Sequence, residues 1–419
     1  MLSVPSGRCG PCCSVAAKGN TAIHRAGAVP DSCGQRKAAQ SRDGSIGVMV
    51  SIFLSASAHG IFAGISFGPI MGQNDQRSPI MKPALLRRAL TAVILALFGS
   101  VGTAAGQTLD KVSFGTNWVA EAEHGGFFQA VADGTYAKYG LDVTSVPGGP
   151  NNNNRMLLIA GKLDFFMSAN TLQSFDAIAN NVPVVAVAAI FQKDPQVLLT
   201  HPELKISKLE ELKPLTLLVS KEGITSYFQW LKSEYGFSEA RVKPYTFNPQ
   251  PFLADLHSAM QGYVTSEPLA IEKQAKFKPN VILLADYGFN AYSTLIETRQ
   301  EVIDKKADLV QRFVDASIVG WYHYLYGDNS PGNALIKKFN PEMTDDLLAY
   351  SVIKMKEYGI VDSGDTLRDG IGAMTDARIA SFYAKMVQAG VVKSDIDYRK
   401  GYTLRFVNMG VGVDLRPNR

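Results

Sequence analysis

From residue 108 onward, short apolar runs alternate with stretches whose apolar positions recur every three or four residues. Residues 112–114 predict a strand. Phe128, Val131, Ala132 and Tyr136 fall on one helical face, which predicts a helix over 127–139 closed at Gly140. The same reading gives strands at 141–146, 163–167 and 182–191, with helices at 155–160 and 171–180. A second series begins near His201-Pro202: strands at 215–219, 241–247 and 262–265, helices at 226–235 and 251–260. Runs at 281–284 and 292–297 lead back towards the first series. After Asp304 the pattern is mostly helical. Leu309, Phe313, Ala316, Val319 and Leu325 form one apolar stripe, and Trp321, Tyr322 and Tyr324 read as packing residues.

Strand–helix alternation predicts parallel βαβ units and an α/β fold. The span exceeds a single core, so two lobes are expected, with a ligand cleft between them and a helical C-terminal region. The expected divisions are 107–200 for the first part of lobe 1, 201–290 for lobe 2, and 291–419 for the return to lobe 1 and the terminal helices. Two strand crossings between lobes would form a hinge.

The 419-residue chain opens differently. Residues 1–80 are rich in Gly, Ser and Ala and hold all four cysteines, Cys9, Cys12, Cys13 and Cys33. From Met81 the sequence reads as a secretory signal: Lys82, Arg87 and Arg88, then the apolar run 89–98, then Thr103-Ala104-Ala105-Gly106 for cleavage. Met81 is therefore the expected start, 1–80 an over-extended reading frame, and the protein periplasmic. Residues 46–72 are nearly uncharged and long enough to span a bilayer if translated. No second ligand pair follows the cysteines at zinc spacing. Beyond residue 106 there is no cysteine, so no thiol chemistry is expected. The formal net charge of +4 comes from scattered Lys and Arg, which gives nucleic-acid binding no electrostatic support.

Candidate chemistry lies where strands end, because open α/β sheets bind ligands at strand carboxyl ends. The loop after residues 112–115 carries Asn117, Trp118, Glu121, Glu123 and His124. Trp118 offers an aromatic wall, with Phe127, Phe128 and Tyr263 as further aromatics, of which Phe128 reads as core. His124 with its glutamates lacks a third metal ligand at recognisable spacing and reads as a polar cleft or hinge contact. Gly148-Gly149-Pro150-Asn151-Asn152-Asn153-Asn154 precedes a helix; Gly149 and Asn151 suit close backbone approach to a ligand, and equally a turn with an N-cap. Ser168 and Asn170 follow one strand, and Thr225 and Ser226 another, with ligand contact and helix capping both open. In Gly262-Tyr263-Val264-Thr265-Ser266-Glu267-Pro268, Glu267 is placed to accept hydrogen bonds from an amine, or to sit in a helix first turn. Neither Gly-x-Ser-x-Gly nor a phosphate loop occurs after residue 106.

These motifs resemble a known family. Asn117-Trp118 with His124, Gly140-Leu141-Asp142-Val143, Gly161-Lys162-Leu163-Asp164 and Val182-Pro183-Val184 are similar, in order and spacing, to periplasmic substrate-binding proteins of ABC importers. The branch is the one containing nitrate, sulfonate and taurine binders and the thiamine pyrimidine precursor synthases. The resemblance implies a type II periplasmic-binding-protein fold, a small-molecule ligand, a membrane ABC permease as partner, a monomer, and no cofactor or metal. The synthases use a lysine for pyridoxal phosphate, a histidine as nitrogen donor and a cysteine-rich run. The matching positions here are Ser168, Leu172 and the cysteine-free stretch 287–292, so the resemblance favours binding over synthase chemistry. With Glu121, Glu123 and Glu267 near the cleft and no arginine, the expected ligand is a neutral or cationic heterocycle of the thiamine-pyrimidine-precursor type, not a small anion.

Overall fold

A computed structural model describes residues 52–57, 60–65, 108–149, 152–246 and 248–417. Met1–Val101 and Gly102–Arg419 are separate compact units. In the first, β1 (Ile52–Ser57) and β2 (Gly60–Ile65) pair as an antiparallel ribbon. The expected signal segment, the four cysteines and most of the run 46–72 lie outside the described residues. Among those described, no helix is long and apolar enough to cross a membrane.

The second unit holds two five-stranded sheets. The first contains β3 (Asp110–Gly115), β4 (Leu141–Val146), β5 (Phe165–Asn170), β6 (Val184–Phe191) and β12 (Ser293–Arg299), in the order β4-β3-β5-β12-β6. The second contains β7 (Gln196–Thr200), β8 (Thr216–Val219), β9 (Val242–Pro244), β10 (Ser258–Tyr263) and β11 (Asn280–Leu283), in the order β11-β7-β10-β8-β9. The chain crosses between sheets twice, from Phe191 to Gln196 and from Leu283 to Ser293. This is the expected α/β two-lobe architecture. It is not wholly parallel. The strands at the crossings reverse direction: β12 runs antiparallel to β5 and β6, and β7 antiparallel to β10 and β11.

The first lobe's core is aromatic. Phe114 lies 4.7 Å from Phe127, which meets Trp321 edge-on at 5.8 Å, and Phe165 stacks on Phe313 at 4.0 Å. Phe313 and Trp321 come from the helix Ala307–Tyr326, whose Trp321, Tyr322 and Tyr324 are all fully buried. Phe127 and Phe128 therefore belong to the core and not to a cleft wall.

Two of the expected helices differ in the structure. The helix expected over 127–139 is split into Gly125–Ala132 and Thr135–Lys138, because Gly134 between them is left-handed at φ 75°. The helix expected over 251–260 is only Gln250–Ala254. Asp255 then turns the chain, accepting from the His257 amide at 3.0 Å, and Ser258–Tyr263 becomes a strand between β7 and β8. A short apolar run carries no periodicity that separates a buried strand from a helix.

Candidate functional site

The loop after β3 is fixed from behind. Thr116 Oγ1 donates to the Trp118 carbonyl at 2.7 Å and accepts from the Gly148 amide at 3.1 Å. The Gly148 amide also reaches the Trp118 carbonyl at 2.9 Å. Asn154 Nδ2 donates to the carbonyls of Thr116 and Val146 at 2.9 and 2.8 Å, which ties the loop to the end of β4. Only a glycine fits at 148, since a Cβ there would lie 2.5 Å from the Thr116 carbonyl oxygen. Asn117 and Trp118 are thereby presented to a cavity of about 160 Å³ between the lobes.

The first lobe contributes Asn117, Trp118, Glu121 and Asn170 to the wall, and the first crossing contributes Asp194 and Gln196. From the second lobe come Ser220, Glu222, Ser226, Tyr227, Tyr245, Gln261, Tyr263 and Glu267, with Phe289 from the second crossing. Among the described residues, the lining holds the carboxylates Glu121, Asp194, Glu222 and Glu267, and no lysine, arginine or histidine. Asn117 Oδ1 is buried there without a hydrogen-bond partner, an acceptor lacking a donor.

Backbone geometry sets several of these groups. Glu267, in the first turn of the helix Glu267–Ala275, accepts from the Tyr263 amide at 2.7 Å and the Ser266 hydroxyl at 2.5 Å. Asp194 accepts from the Gln196 amide and from Asn170 Nδ2, both at 3.0 Å. Gln261 Oε1 accepts from the Ser220 amide at 2.6 Å and the Tyr227 hydroxyl at 2.9 Å. Because an amide N–H must meet an oxygen, these bonds fix the orientation of the Gln261 side chain.

Burial dominates the electrostatics. It raises the carboxyl of Glu121, with the neighbouring Glu123 and Glu267 adding to the effect, and it raises Glu267 despite its hydrogen bonds. Asp194 is pushed up to about 6 by burial. Glu123, buried beside the cavity, accepts a hydrogen bond from Thr265 of the second lobe, and burial pushes it up to about 7. Burial lowers His124 to about 3, so the ring is neutral near pH 7 and its 3.8 Å approach to Glu121 is no ion pair. Among the described residues, no group of three or more His, Cys, Asp or Glu is arranged to hold a metal ion.

Of the residues singled out in the sequence, Asn117, Trp118, Asn170, Ser226, Tyr263 and Glu267 meet on this cavity. Four others do not line it. His124 is buried beneath the loop, 6.5 Å from the Phe128 ring. Gly149 is buried in the turn that supports Trp118. Ser168 is buried in β5 beside Glu297, on the interior of lobe 1. Thr225 is exposed, its hydroxyl donating back to the Glu222 carbonyl at 3.1 Å. Asn151 lies outside the described residues.

The sequence reading missed Asp194, Glu222, Tyr227, Tyr245, Gln261 and Phe289. Asp194 sits in the crossing, two residues before a strand that was not foreseen. Glu222 carried a usable signal: it follows β8 at a strand's carboxyl end, in the same segment as Thr225 and Ser226.

Residues 121–328 match the family described as NMT1/THI5 like. The riboflavin-binding protein RibY of Chloroflexus aurantiacus is 22% identical over 313 residues, covering 72% of this chain and 88% of that protein. In structure, the chain is similar to the periplasmic aliphatic sulphonate binding protein SsuA from Escherichia coli, with a TM-score of 0.54 and 13% identity over 70% of this chain and 91% of that one. It is also similar to a putative periplasmic sulfonate-binding protein SsuA from Methylobacillus flagellatus KT, with a TM-score of 0.51 and 15% identity over 71% and 93% of the two chains. These structural likenesses establish the two-lobe periplasmic-binding-protein fold.

Proposed function

We propose that this chain, whose residues 121–328 match the family described as NMT1/THI5 like, is the exported solute-binding component of an ABC importer. Its ligand is a small nitrogen heterocycle, neutral or cationic, of the thiamine-pyrimidine-precursor type, captured as the lobes close. The partner is a membrane permease, and the signal pattern from Met81 supports a periplasmic location.

One observation carries the ligand class: a cleft with four carboxylates, aromatic walls and no basic side chain among its described lining residues. A sulfonate or nitrate would enter that field against repulsion, with no cation to pair it. A flat ring bearing N–H groups finds aromatic faces for stacking and carboxylates for charge-assisted hydrogen bonds. The name of the riboflavin-binding relative points to the same broad chemistry, a planar nitrogen heterocycle. The alternative, a pyrimidine synthase, lacks its groups: Ser168 and Leu172 stand at the lysine and histidine positions, and no cysteine follows residue 106.

Calorimetric titration tests the reading. A 4-aminopyrimidine is expected to bind, and taurine and nitrate are not. Tight binding of either anion, unaffected by Glu267→Gln, would contradict it.

A further inference from the structure

We propose that the helix Asp376–Gln388 is a third element of the hinge, and that its Arg378 is the positioning residue that keeps the cavity wall assembled by holding both crossings at once. The inference goes beyond the ligand reading and holds whichever ligand fills the cavity. Arg378, Phe382 and Lys385 are spaced four and three residues apart, which puts them on one face of that helix. That face lies along the crossings. Arg378 Nη2 donates to the Gln192 carbonyl of the first crossing and, at 3.3 Å, to the Ala291 carbonyl of the second. Its Nη1 donates to Gln192 Oε1 at 3.3 Å, and the guanidinium carbon lies 4.0 Å from the centre of the Tyr292 ring. The Phe382 ring meets Phe289 edge-on at 5.5 Å, and Lys385 Nζ donates to the Gly288 carbonyl at 2.9 Å. The helix is itself seated on lobe 1, where its Tyr383 meets Phe175 of the helix Thr171–Ala179 edge-on at 5.5 Å.

The segments held this way are the ones that reach the cavity. Asp194, two residues after Gln192, and Phe289, two residues before Ala291, both line it. The Tyr292 carbonyl accepts from the amide and hydroxyl of Thr171 at 3.0 and 3.2 Å, next to the Asn170 that holds Asp194. Hinges turn on residues at the ends of elements, and Gln192 and Ala291 occupy such places, just past β6 and just before β12. A planar guanidinium presents its donors in fixed directions, so it serves both carbonyls only while they converge. The lobes are together in this structure: Thr265 donates to Glu123, and Gln173 Nε2 donates to Glu222 at 3.1 Å, each across the cleft. Opening that turns the crossings apart withdraws one carbonyl from Arg378. A contact made in one arrangement and lost in the other shifts the balance between them, so Arg378 favours the closed lobes.

Hydrogen–deuterium exchange of the full-length, unliganded protein, read by mass spectrometry, tests this. The amides of Gln192, Lys193, Gly288 and Phe289 are hydrogen-bonded to backbone carbonyls and have protection to lose. Arg378→Gln is expected to speed exchange by about tenfold or more in both crossings, 192–195 and 284–292, and in the facing loops 117–124 and 263–267, as local opening does. Strands β3 and β8, inside the two lobes, should be unchanged. Lys385→Met, which frees only the Gly288 carbonyl, should affect 284–292 alone. Should Arg378→Gln fail to fold, Arg378→Lys, which keeps the charge and loses the planar fork, is read in the same way. No change in the first crossing or in the facing loops would overturn the proposal and leave Arg378 a local tie. An equal rise in β3 and β8 would overturn it by making Arg378 a residue of the fold. The same pattern from Lys385→Met would remove the coupling from Arg378. None of these outcomes depends on which ligand binds, so the heterocycle reading stands or falls separately.

Discussion

A Cβ on Gly126 would lie 2.2 Å from Cγ of the Trp321 ring, and one on Gly125 would lie 2.1 Å from Cε1 of Tyr324. The pair that follows His124 is therefore there to let the helix Gly125–Ala132 press against the helix Ala307–Tyr326. Both rings are buried and cannot step aside cheaply. Gly126→Ala should cost about 1–3 kcal/mol, the range for overpacking a dense core, read as a fall in chemical-denaturation midpoint. Trp118→Ala should behave in the opposite way. It should weaken heterocycle binding by about 1 kcal/mol or more through lost stacking, with little change in the melting temperature of the unliganded protein. A large stability loss from Trp118→Ala with unchanged affinity would assign that ring to packing. At this scale the sequence was legible where a residue follows the carboxyl end of a strand, as for Asn117 and Trp118 after β3 and Glu267 after β10. It was not legible for Tyr227 and Tyr245. Their presence on the cavity depends on how the second sheet is assembled, and aromatic residues in a chain this size are mostly core.

The strand β10 shows what the pattern conceals at the next scale. Its residues Ala259 and Met260 were read as the end of a helix, and only their neighbours β7 and β8 make them a central strand. The consequence is functional, because β10 carries Gln261 and Tyr263 to the cavity and leads on to Thr265. There the Thr265 hydroxyl donates to Glu123 on the first-lobe turn Ala122–His124, while Ser351 Oγ donates to the Thr265 carbonyl at 2.8 Å. Glu123 is raised from the ordinary 4.5 to about 7. Between those two values the unfolded chain has released this proton and the folded protein still holds it. Glu123 therefore lowers stability as pH rises through that window, and Glu121 and Glu267, also raised, act in the same direction. The melting temperature of the unliganded protein is expected to fall between about pH 5 and pH 8, and Glu123→Gln should reduce that fall. An identical pH profile for the variant would show that the carboxyl is ionised throughout.

At the scale of the whole molecule, alternation of apolar runs was enough to read an α/β chain with two lobes and a helical end. The antiparallel strands at the crossings were not readable, since strand direction follows from which sheet the chain rejoins and not from periodicity. Residues 102–419 form a compact unit by themselves. A chain beginning at Gln107 is accordingly expected to melt within about a degree of the full-length protein. A loss of several degrees, corresponding to about 1 kcal/mol or more at this size, would mean that the leader packs on the lobes.

The proposed role of the acidic, aromatic cleft between the lobes is to hold a donor-rich heterocycle. The decisive measurement is native mass spectrometry of the protein purified without denaturation from its own host. A bound small molecule is expected whose mass and fragmentation identify a nitrogen heterocycle bearing amino groups, and which is lost on Glu267→Gln or Glu222→Gln. A co-purifying sulfonate, nitrate or other small anion that survives both substitutions would contradict it.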